Sequence, residues 1–371
     1  MPYKLQFMSH VRVITESLPA YDGEASMNFL NHVLYIGARG RYVLMQPQFV
    51  IQTVDGWSYS PQMTPHTRGF IGWLPYFNKR WPTGSGKAAF KRLCLDNAIP
   101  TPRAWAAAQQ AESDFILKAE KGSFARGISG PYRREQARTQ DIRVPEGSYC
   151  EEFIRGRIAK IWYWDGIPAC LELHEMPRIT GNGVDTVEAL LKRAVSSNIG
   201  GFPPPRESLQ IIAQFQGFDL ESVLPAGQSM LADFRYGSAF IPRYIESTNV
   251  MKEHVHGPLG EQLSRYGAMF WNSIPEETRP QTAFSVDAIL DNDGKFWFLE
   301  MNCNPALHPE IYGPMLTGLF GQPMPTPPGG WQRRPSPLLA HLAAPAGYSA
   351  ANGLVPFPIA PPPMNRPMNQ A

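Results

Sequence analysis

The sequence predicts a protein of the α+β or α/β class, and three observations indicate this. Two β-prone runs flank Asp293-Gly294, and two more flank Asp165-Gly166. An Asp-Gly pair between such runs is the strongest short-range hairpin signal. Apolar residues also recur at helical spacing, at 89–94, 187–191 and 207–215. Hairpins alternating with amphipathic helices over 371 residues predict two or three domains of mixed structure.

The N-terminal region, residues 1–83, is predicted to form a small α/β unit. The β-prone run Val11–Thr15 predicts a strand, and residues 25–35 carry a helical stripe that would stop at Gly37. Residues 42–45 and 49–54 predict two further strands. No motif with a clear chemical role lies in this region.

The next segment, Gly84-Ser85-Gly86-Lys87, is similar to a phosphate-binding loop but does not match one. Trp81 and Ala88 stand where that motif requires Gly and Ser or Thr. The segment instead predicts the start of a helix, with Ser85 as its N-cap and Lys87 in its first turn. A lone lysine at this place is more often solvated than functional, so its role depends on context.

A lysine and a glycine-rich loop follow. Residues 114–119 predict a strand with Lys118 near its end, and residues 121–130 contain three glycines and Arg126. Glycines let a loop approach a ligand closely and direct its N–H groups at anionic oxygens. Most glycine-rich hairpin loops bind nothing, so this prediction also depends on the rest of the chain.

The most informative stretch is the hairpin at residues 284–302. If Asp293-Gly294 form the turn, Asp287 lies directly opposite Glu300; if Asn292-Asp293 form it, the two are diagonal neighbours on one face. Asn302 points to the same face. Adjacent carboxylates repel each other, and carboxylate and amide oxygens suit Mg²⁺. The hairpin therefore predicts a metal site, the alternative being an exposed hairpin with ordinary acids.

The remaining segments complete the pattern. Strands are predicted at 148–154, 158–164, 167–174 and 229–234, and helices after Asp185 or Thr186 and near 207–215. Residues 321–371 contain no Asp or Glu and are dense in proline, which predicts a flexible or polyproline-like tail.

Bulk properties exclude several classes of protein. A formal net charge of +2 argues against a dedicated nucleic-acid binder. No apolar run is long enough to span a bilayer, and the first residues do not form a signal peptide. The four cysteines lack CxxC spacing, so we expect free thiols in a reducing cytoplasm.

Taken in order, these segments resemble the ATP-grasp ligases over roughly residues 84 to 320. The ordered features are the lysine before Ile99-Pro100-Thr101-Pro102, the strand lysine with its Gly-rich loop, Glu151–Gly156, Thr180–Leu191 and the acidic hairpin. Residues 175–190 and 217–235 are most similar to the branch with cyanophycin synthetase, γ-glutamylcysteine ligase and D-alanine–D-alanine ligase. The resemblance implies an ATP-grasp fold, with a small N-terminal α/β domain followed by two α+β subdomains that clasp ATP.

The resemblance also implies roles for individual residues. Lys118 and Arg235 would be the catalytic groups, and Arg235 would stabilise the transferring phosphoryl group. Magnesium, as two ions with Mn²⁺ as an alternative, would be held by Asp287, Glu300 and Asn302. ATP would be bound by Lys87, Lys118, Gly122, Ser123, Arg126, Gly127, Glu151, Glu152, Phe153 and Ile154.

Three positions depart from the family pattern. Ile158 stands where many relatives carry an acid for the ribose, and Ser285 replaces an arginine of the D-alanine branch. After Arg235 the run is Tyr236-Gly237-Ser238-Ala239 instead of an Asn and paired glycines. These departures argue against D-alanine ligase activity and for an altered intermediate pocket.

The expected activity is ATP-dependent joining of a carboxylate to an amine through an acyl phosphate, with release of ADP. A carboxylate is a poor electrophile until it is phosphorylated, and lysines, Mg²⁺ and loop N–H groups can neutralise the triphosphate. The implied domains are residues 1–83, a small subdomain at 84–156, a large subdomain at 157–320 and a tail at 321–371.

The expected partners are a small carboxylate and an amine, each an amino acid or peptide, without nucleic acid or membrane. Whether the chain forms a homodimer is left open. Two alternatives stay open as well: an enzyme that modifies a larger peptide or protein, and a nucleotide-binding protein without catalysis.

Overall fold

The computed structural model describes residues 2–54, 56–120, 122, 127–139, 141–196, 204–236, 238–241, 248–327 and 331. Its helices are α1 (Pro2–Ser17), α2 (Lys87–Asp96), α3 (Gln136–Thr139), α4 (Val187–Ser196), α5 (Arg206–Phe215), α6 (Met251–His254), α7 (Pro258–Asn272) and α8 (Tyr312–Phe320). Its strands are β1 (Gly23–Met27), β2 (Leu34–Ala38), β3 (Arg41–Thr53), β4 (Gly56–Ser60), β5 (Thr67–Leu74), β6 (Ala104–Trp105), β7 (Phe115–Ala119), β8 (Ile128–Tyr132), β9 (Ser148–Glu152), β10 (Arg157–Trp164), β11 (Ile167–Glu175), β12 (Arg178–Thr180), β13 (Ser229–Leu231), β14 (Ala283–Leu290) and β15 (Phe296–Asn302).

All the strand pairs within the described residues are antiparallel. The α+β class is therefore confirmed. The parallel pairing that the α/β alternative requires is not found in this part of the chain, the N-terminal unit included.

The N-terminal unit packs α1 against an antiparallel sheet in which β1, β2, β3 and β4 are neighbours and β5 also pairs with β3. The strand predicted at Val11–Thr15 is wrong, because these residues lie within α1. Val11 and Ile14 are buried within α1, and Leu18, just after its end, continues the helical spacing. A β-branched run indicated a strand, but packing on the sheet stabilises a helix.

The helix predicted at residues 25–35 is also wrong. β1 and β2 occupy its two ends, and a turn joins them, in which the side chain of Asn28 accepts a hydrogen bond from the N–H of Leu30 at 2.9 Å. Leu30, part of the predicted stripe, is 90% exposed. The two strands predicted at 42–45 and 49–54 form one strand, β3.

A four-stranded sheet in the order β11, β10, β14, β15 forms the centre of the remaining chain. One of its faces is apolar and packs against α2 and α7 through residues such as Phe90 and Phe270. α2 begins at Lys87 with Gly86 as its N-cap, and Ser85 makes no capping bond, so that detail of the prediction is wrong. The opposite face of the sheet carries the polar residues of the candidate site.

Two smaller sheets lie beside this one. The first has the order β6, β9, β7, β8, and the second pairs β12 with β13. α4 and α5 pack together around Leu190, Leu191 and Ala213, and the hydroxyl of Thr186 accepts a bond from the N–H of Ala189, as its predicted cap role requires.

The chain finally returns to its N-terminal unit. α8 packs into the same core as α1 and β5, so the first and last described helices are neighbours. The domain boundaries given above remain predictions, and most of the proline-rich tail lies outside the described residues. All four cysteines are free, as predicted, and all four are buried. None of the described helices is both long and apolar enough to cross a membrane.

Candidate active site

The acidic hairpin places its two carboxylates opposite each other. Asp287 of β14 pairs directly with Glu300 of β15, one of the two predicted arrangements. The turn is longer than the two-residue loop that predicted this pairing, because the N–H of Gly294 bonds to the carbonyl of Asp291 at 3.1 Å. A bulge beside Asp287 absorbs the difference, since Ala288 already pairs with Phe298. The bulge thus brings the carboxylates of Asp287 and Glu300 opposite each other despite the longer turn.

The row of charges extends across two further strands. Lys160 of β10 pairs with Asp287, and Glu172 of β11 pairs with Lys160. Residues directly opposite each other in an antiparallel sheet point to the same face. Four charged side chains, Glu172, Lys160, Asp287 and Glu300, therefore follow one another across this face of the central sheet.

Asp287 is bound on both of its oxygens. The ammonium of Lys160 lies 2.6 Å from Oδ1, and the side-chain amide of Asn302 donates to Oδ2 at 3.2 Å. The side chains of Lys160 and Asp287 are 10% and 15% exposed. The predicted neighbourhood of Asp287, Glu300 and Asn302 is therefore present, with a lysine added to it.

Glu300 meets Lys87 at the other end of the row. Lys87 Nζ lies 3.5 Å from Glu300 Oε2 and donates to the carbonyl of Gly122 at 2.9 Å. Burial raises the pKa of Glu300, Lys118 opposes this increase, and the charge of Asp287 adds to it. A carboxylate with a raised pKa beside a second carboxylate is a place where a cation is stabilised.

Lys118 takes part in a buried cluster next to these carboxylates. Its ammonium donates to Glu151 Oε1 at 3.1 Å, and Lys91 Nζ lies 3.0 Å from the second oxygen of Glu151. Burial alone would lower the pKa of Lys118, but the carboxylates of Glu151, Glu300 and Asp287 raise it. The same cations lower the pKa of Glu151 despite its burial. Lys118 is thus a charged lysine within electrostatic reach of the facing carboxylates.

The segment predicted as the hinge, residues 151–154, follows directly. The backbone N–H of Glu152 bonds to the carbonyl of Arg103 at 2.9 Å, and that of Phe153 to Asp114 at 2.8 Å. The carboxylate of Glu152 is held by the guanidinium of Arg103, with 3.1 Å between Nη2 and Oε1. Two of the backbone donors predicted to bind adenine are therefore engaged within the protein.

Arg235 is held by an ion pair with Asp233, which lies outside the charged row. Its guanidinium donates to both oxygens of Asp233, at 2.8 and 3.0 Å, and Asp233 is 1% exposed. Its neighbour Tyr236 reaches the charged row, because the Tyr236 ring lies 4.6 Å from the ammonium of Lys160. The structure therefore connects this segment to the row through Tyr236, and it holds Arg235 against Asp233.

Glu172 is the centre of a polar cluster at the other end of the row. It accepts hydrogen bonds from the hydroxyls of Tyr236 at 2.8 Å and Thr248 at 2.7 Å. His174 lies 3.3 Å from it. Burial would raise the pKa of Glu172, but these hydrogen bonds lower it to about 2. His308, part of the predicted specificity region, lies 3.8 Å from Glu172 and also caps a short helix through Nδ1.

Among the charged residues that the sequence did not single out are Lys91, Lys160 and Glu172. A usable signal existed for Lys160, because it interrupts an apolar strand and points to the face opposite Ala159 and Ile161. Two of the residues predicted to bind ATP, Ser123 and Arg126, lie outside the described residues. Gly122 is described and contacts Lys87, and Gly127 has a left-handed backbone with φ 73°.

The donor set of this site is made of hard oxygens. No group of three or more His, Cys, Asp and Glu side chains with the arrangement of a metal site occurs within the described ranges. The carboxylates of Asp287 and Glu300 and the amide of Asn302 supply the oxygens here, a donor set that fits a cation which also binds phosphate oxygens. The raised pKa of Glu300 is consistent with that use.

No protein-family model matches the sequence, and the search of curated proteins returns no match. Solved structures do match. The bifunctional glutathione synthetase from Pasteurella multocida is 12% identical with a TM-score of 0.34, and the match covers 80% of this chain and 41% of that protein. The D-alanine–D-alanine ligase from Bacillus anthracis is 10% identical with a TM-score of 0.33, covering 65% of this chain and 67% of that one.

A third match is the ATP-grasp ligase PsnB, complexed with a phosphomimetic variant of its minimal precursor, Mg and ADP. It is 11% identical with a TM-score of 0.30, covering 60% of this chain and 49% of that one. The chain thus spans less than half the length of the glutathione synthetase. These TM-scores are too low to support an argument about function. The residues of the site therefore carry the function proposed below. Of these three structures, PsnB is the one described as an ATP-grasp ligase, the family that the ordered motifs of this chain resemble.

Proposed function

We propose that this chain is an ATP-dependent ligase that activates a carboxylate as an acyl phosphate and joins it to an amine. The observation that carries the proposal is the meeting of two cations and two carboxylates from four elements: Lys87 of α2, Lys118 of β7, Asp287 of β14 and Glu300 of β15. Lysines neutralise phosphate charge, and facing carboxylates hold the cation that accompanies a nucleotide.

Asp287, Glu300 and Asn302 would hold magnesium in this proposal. When bound, Mg²⁺ supplies charge neutralisation at the phosphate oxygens during transfer. Lys118 and Lys87 would bind the same phosphates from the other side. Lys87 lies 3.5 Å from Glu300, and Lys118 interacts electrostatically with both carboxylates, so binding of a Mg·ATP complex would replace one set of opposite charges with another.

The adenine would lie near Glu151 and Ile154. The N–H groups of Glu152 and Phe153 bond to other parts of the protein. That leaves the backbone of Ile154 as the group proposed to recognise the base, because both oxygens of the Glu151 carboxylate are paired with Lys118 and Lys91. Arg235 would bind the transferring phosphoryl group, with Asp233 fixing the plane of its guanidinium.

The departures from the family pattern favour an unusual substrate pocket. Ile158 is buried with Ile241 and Ile289, so the place of the ribose acid is apolar. Ser285 is fully buried, and its hydroxyl makes no hydrogen bond within the described residues. The arginine of the D-alanine branch would not fit there, which supports a carboxylate and amine other than D-alanine.

The test is a screen for ADP release over amino acids and small acids. We expect release that requires both a carboxylate and an amine, and loss of more than about 100-fold in the variant Glu300→Gln, in line with the loss of one charge-stabilising group. The surface change Glu188→Gln is the matched control and retains full activity.

Release of AMP and pyrophosphate would refute acyl-phosphate chemistry. Binding of Mg·ATP without turnover on any substrate pair, including peptides, would instead favour the non-catalytic alternative. Turnover with a peptide but not with free amino acids would identify an enzyme that modifies a larger substrate.

A further inference from the structure

Lys160 occupies a place where a cation would otherwise be expected. Its ammonium lies 2.6 Å from Asp287, between the carboxylates of Glu172 and Glu300 in the cross-strand row. A lysine in the centre of a sheet strand, 8% exposed, is rarely retained without a charged partner. Here the partner is one of the residues proposed to hold magnesium.

The position of Lys160 is fixed from several sides. The rings of Tyr236 and Trp162 lie 4.6 and 5.7 Å from its ammonium. Tyr236 is itself held by its hydrogen bond to Glu172 at 2.8 Å. The ammonium is therefore held at Asp287 by its surroundings as well as by charge.

The oxygens that remain fit one metal ion. Both oxygens of Asp287 are engaged, by Lys160 and by the amide nitrogen of Asn302. Glu300 is bound on Oε2 by Lys87, and its Oε1 has no hydrogen-bond partner among the residues that the structure describes. Since Asn302 donates through its nitrogen, its carbonyl oxygen also remains as an acceptor. One carboxylate oxygen and one amide oxygen suit a single Mg²⁺ that binds phosphates as well.

We propose that the ammonium of Lys160 takes the place of a second metal ion, so that the site binds one Mg²⁺ with the nucleotide instead of two. The proposal depends on the ATP-binding function proposed above. A second divalent ion at Asp287 would have to displace Lys160 or lie against its positive charge, and both are unfavourable.

The experiment counts metal ions without catalysis. The full chain is titrated with Mn²⁺ in the presence of a non-hydrolysable ATP analogue, and bound Mn²⁺ is measured by electron paramagnetic resonance alongside bound nucleotide. We expect one Mn²⁺ per nucleotide for the wild type and two for Lys160→Met, which removes the charge and keeps most of the length of the side chain. Lys160→Arg keeps a cation and retains one.

Lys192→Met is the matched control, because it removes the lysine of a surface ion pair with Glu188, and it retains one Mn²⁺ per nucleotide. Two ions on the wild type, or one on Lys160→Met, would overturn the proposal. If Lys160→Met does not fold, the wild-type count decides alone. Absence of nucleotide binding would overturn the proposed function itself, and it is distinct from binding with two ions.

Discussion

Lys118, Glu151 and Lys91 form a buried cluster of three charges. Glu151 is 1% exposed, and each of its oxygens lies 3.0 or 3.1 Å from an ammonium. A buried ion destabilises the fold unless it is paired. Removing one ion of a pair therefore leaves the other as an unpaired buried charge. The cluster therefore links the stability of the fold to the charge of a proposed nucleotide-binding lysine.

The change Lys118→Met tests this link. We expect it to lower the free energy of unfolding by about 3 kcal/mol, because Glu151 keeps only Lys91 as a cationic partner. Urea denaturation measures the effect. Addition of Glu151→Gln to Lys118→Met removes the unpaired charge and is expected to recover part of the loss. A single variant as stable as the wild type would contradict this prediction.

At the residue scale, predictability followed local patterns. Asp287, Glu300 and Asn302 could be placed together because a strand has a period of two and a hairpin fixes its own pairing. Lys160 could not be placed beside Asp287, because the sequence does not say that β10 is the neighbour of β14. Pairing between strands that are distant in sequence is decided by packing of the whole sheet.

Among the elements, α7 depends on a close approach to the central sheet. A Cβ on Gly267 would lie 2.4 Å from the carbonyl oxygen of Gly166 and 2.5 Å from the ring of Tyr163. The helix therefore packs directly on the turn between β10 and β11. That contact is possible only because residue 267 has no side chain.

We predict that Gly267→Ala destabilises the protein by about 2 kcal/mol. The alanine gains up to about 1 kcal/mol of helix propensity, but overpacking against backbone typically costs 1–3 kcal/mol or more, with α7 pushed from the sheet. The midpoint of urea unfolding measures the change.

Gly313→Ala in α8 is the matched control, because a Cβ there has no atom within 4 Å. It is expected to be neutral or stabilising by up to about 1 kcal/mol. A Gly267→Ala variant that behaves like Gly313→Ala would show that α7 is free to move.

The contrast between local sequence pattern and tertiary packing explains which elements could be predicted. α4, α5 and the strands at 157–175 follow their own apolar periodicity, and the structure has them near the predicted bounds. The β-branched run at Val11–Thr15 instead forms part of α1, because the surface offered by β5 buries residues three and four apart. The intrinsic secondary-structure propensity of a short run contributes less free energy than such packing.

At the scale of the whole molecule, His10 joins the two ends of the described chain. The hydroxyl of Tyr312 in α8 accepts a bond from the N–H of Trp73 at 2.9 Å and lies 2.9 Å from His10 Nδ1. The hydroxyl proton is therefore available to His10, whose ring is neutral. Burial, with a smaller effect of His308, lowers the pKa of His10 to about 3.

This arrangement predicts a loss of stability in mild acid. The unfolded chain protonates His10 below about pH 6.5 while the folded chain does not, so stability is full above that pH and falls as the pH decreases towards 3. Between pH 6.5 and pH 5 the loss is on the order of 2 kcal/mol.

Unfolding in urea at pH 7 and pH 5 measures this loss. His10→Asn, which does not titrate, is expected to lose less stability over the same interval. The pKa values of His32 and His308 are also lowered, so a smaller loss persists in that variant. An equal loss in both proteins would exclude His10 as its source.

The packing of α8 against the N-terminal sheet has a consequence for folding during synthesis. Trp73 and its partner Tyr312 are separated by 239 residues, which a ribosome adds in on the order of ten to fifty seconds. During that interval the nascent sheet lacks α8, and aromatic residues such as Phe70 and Trp73 lack part of their final cover. The N-terminal sheet is thus synthesised well before the helix that completes its core.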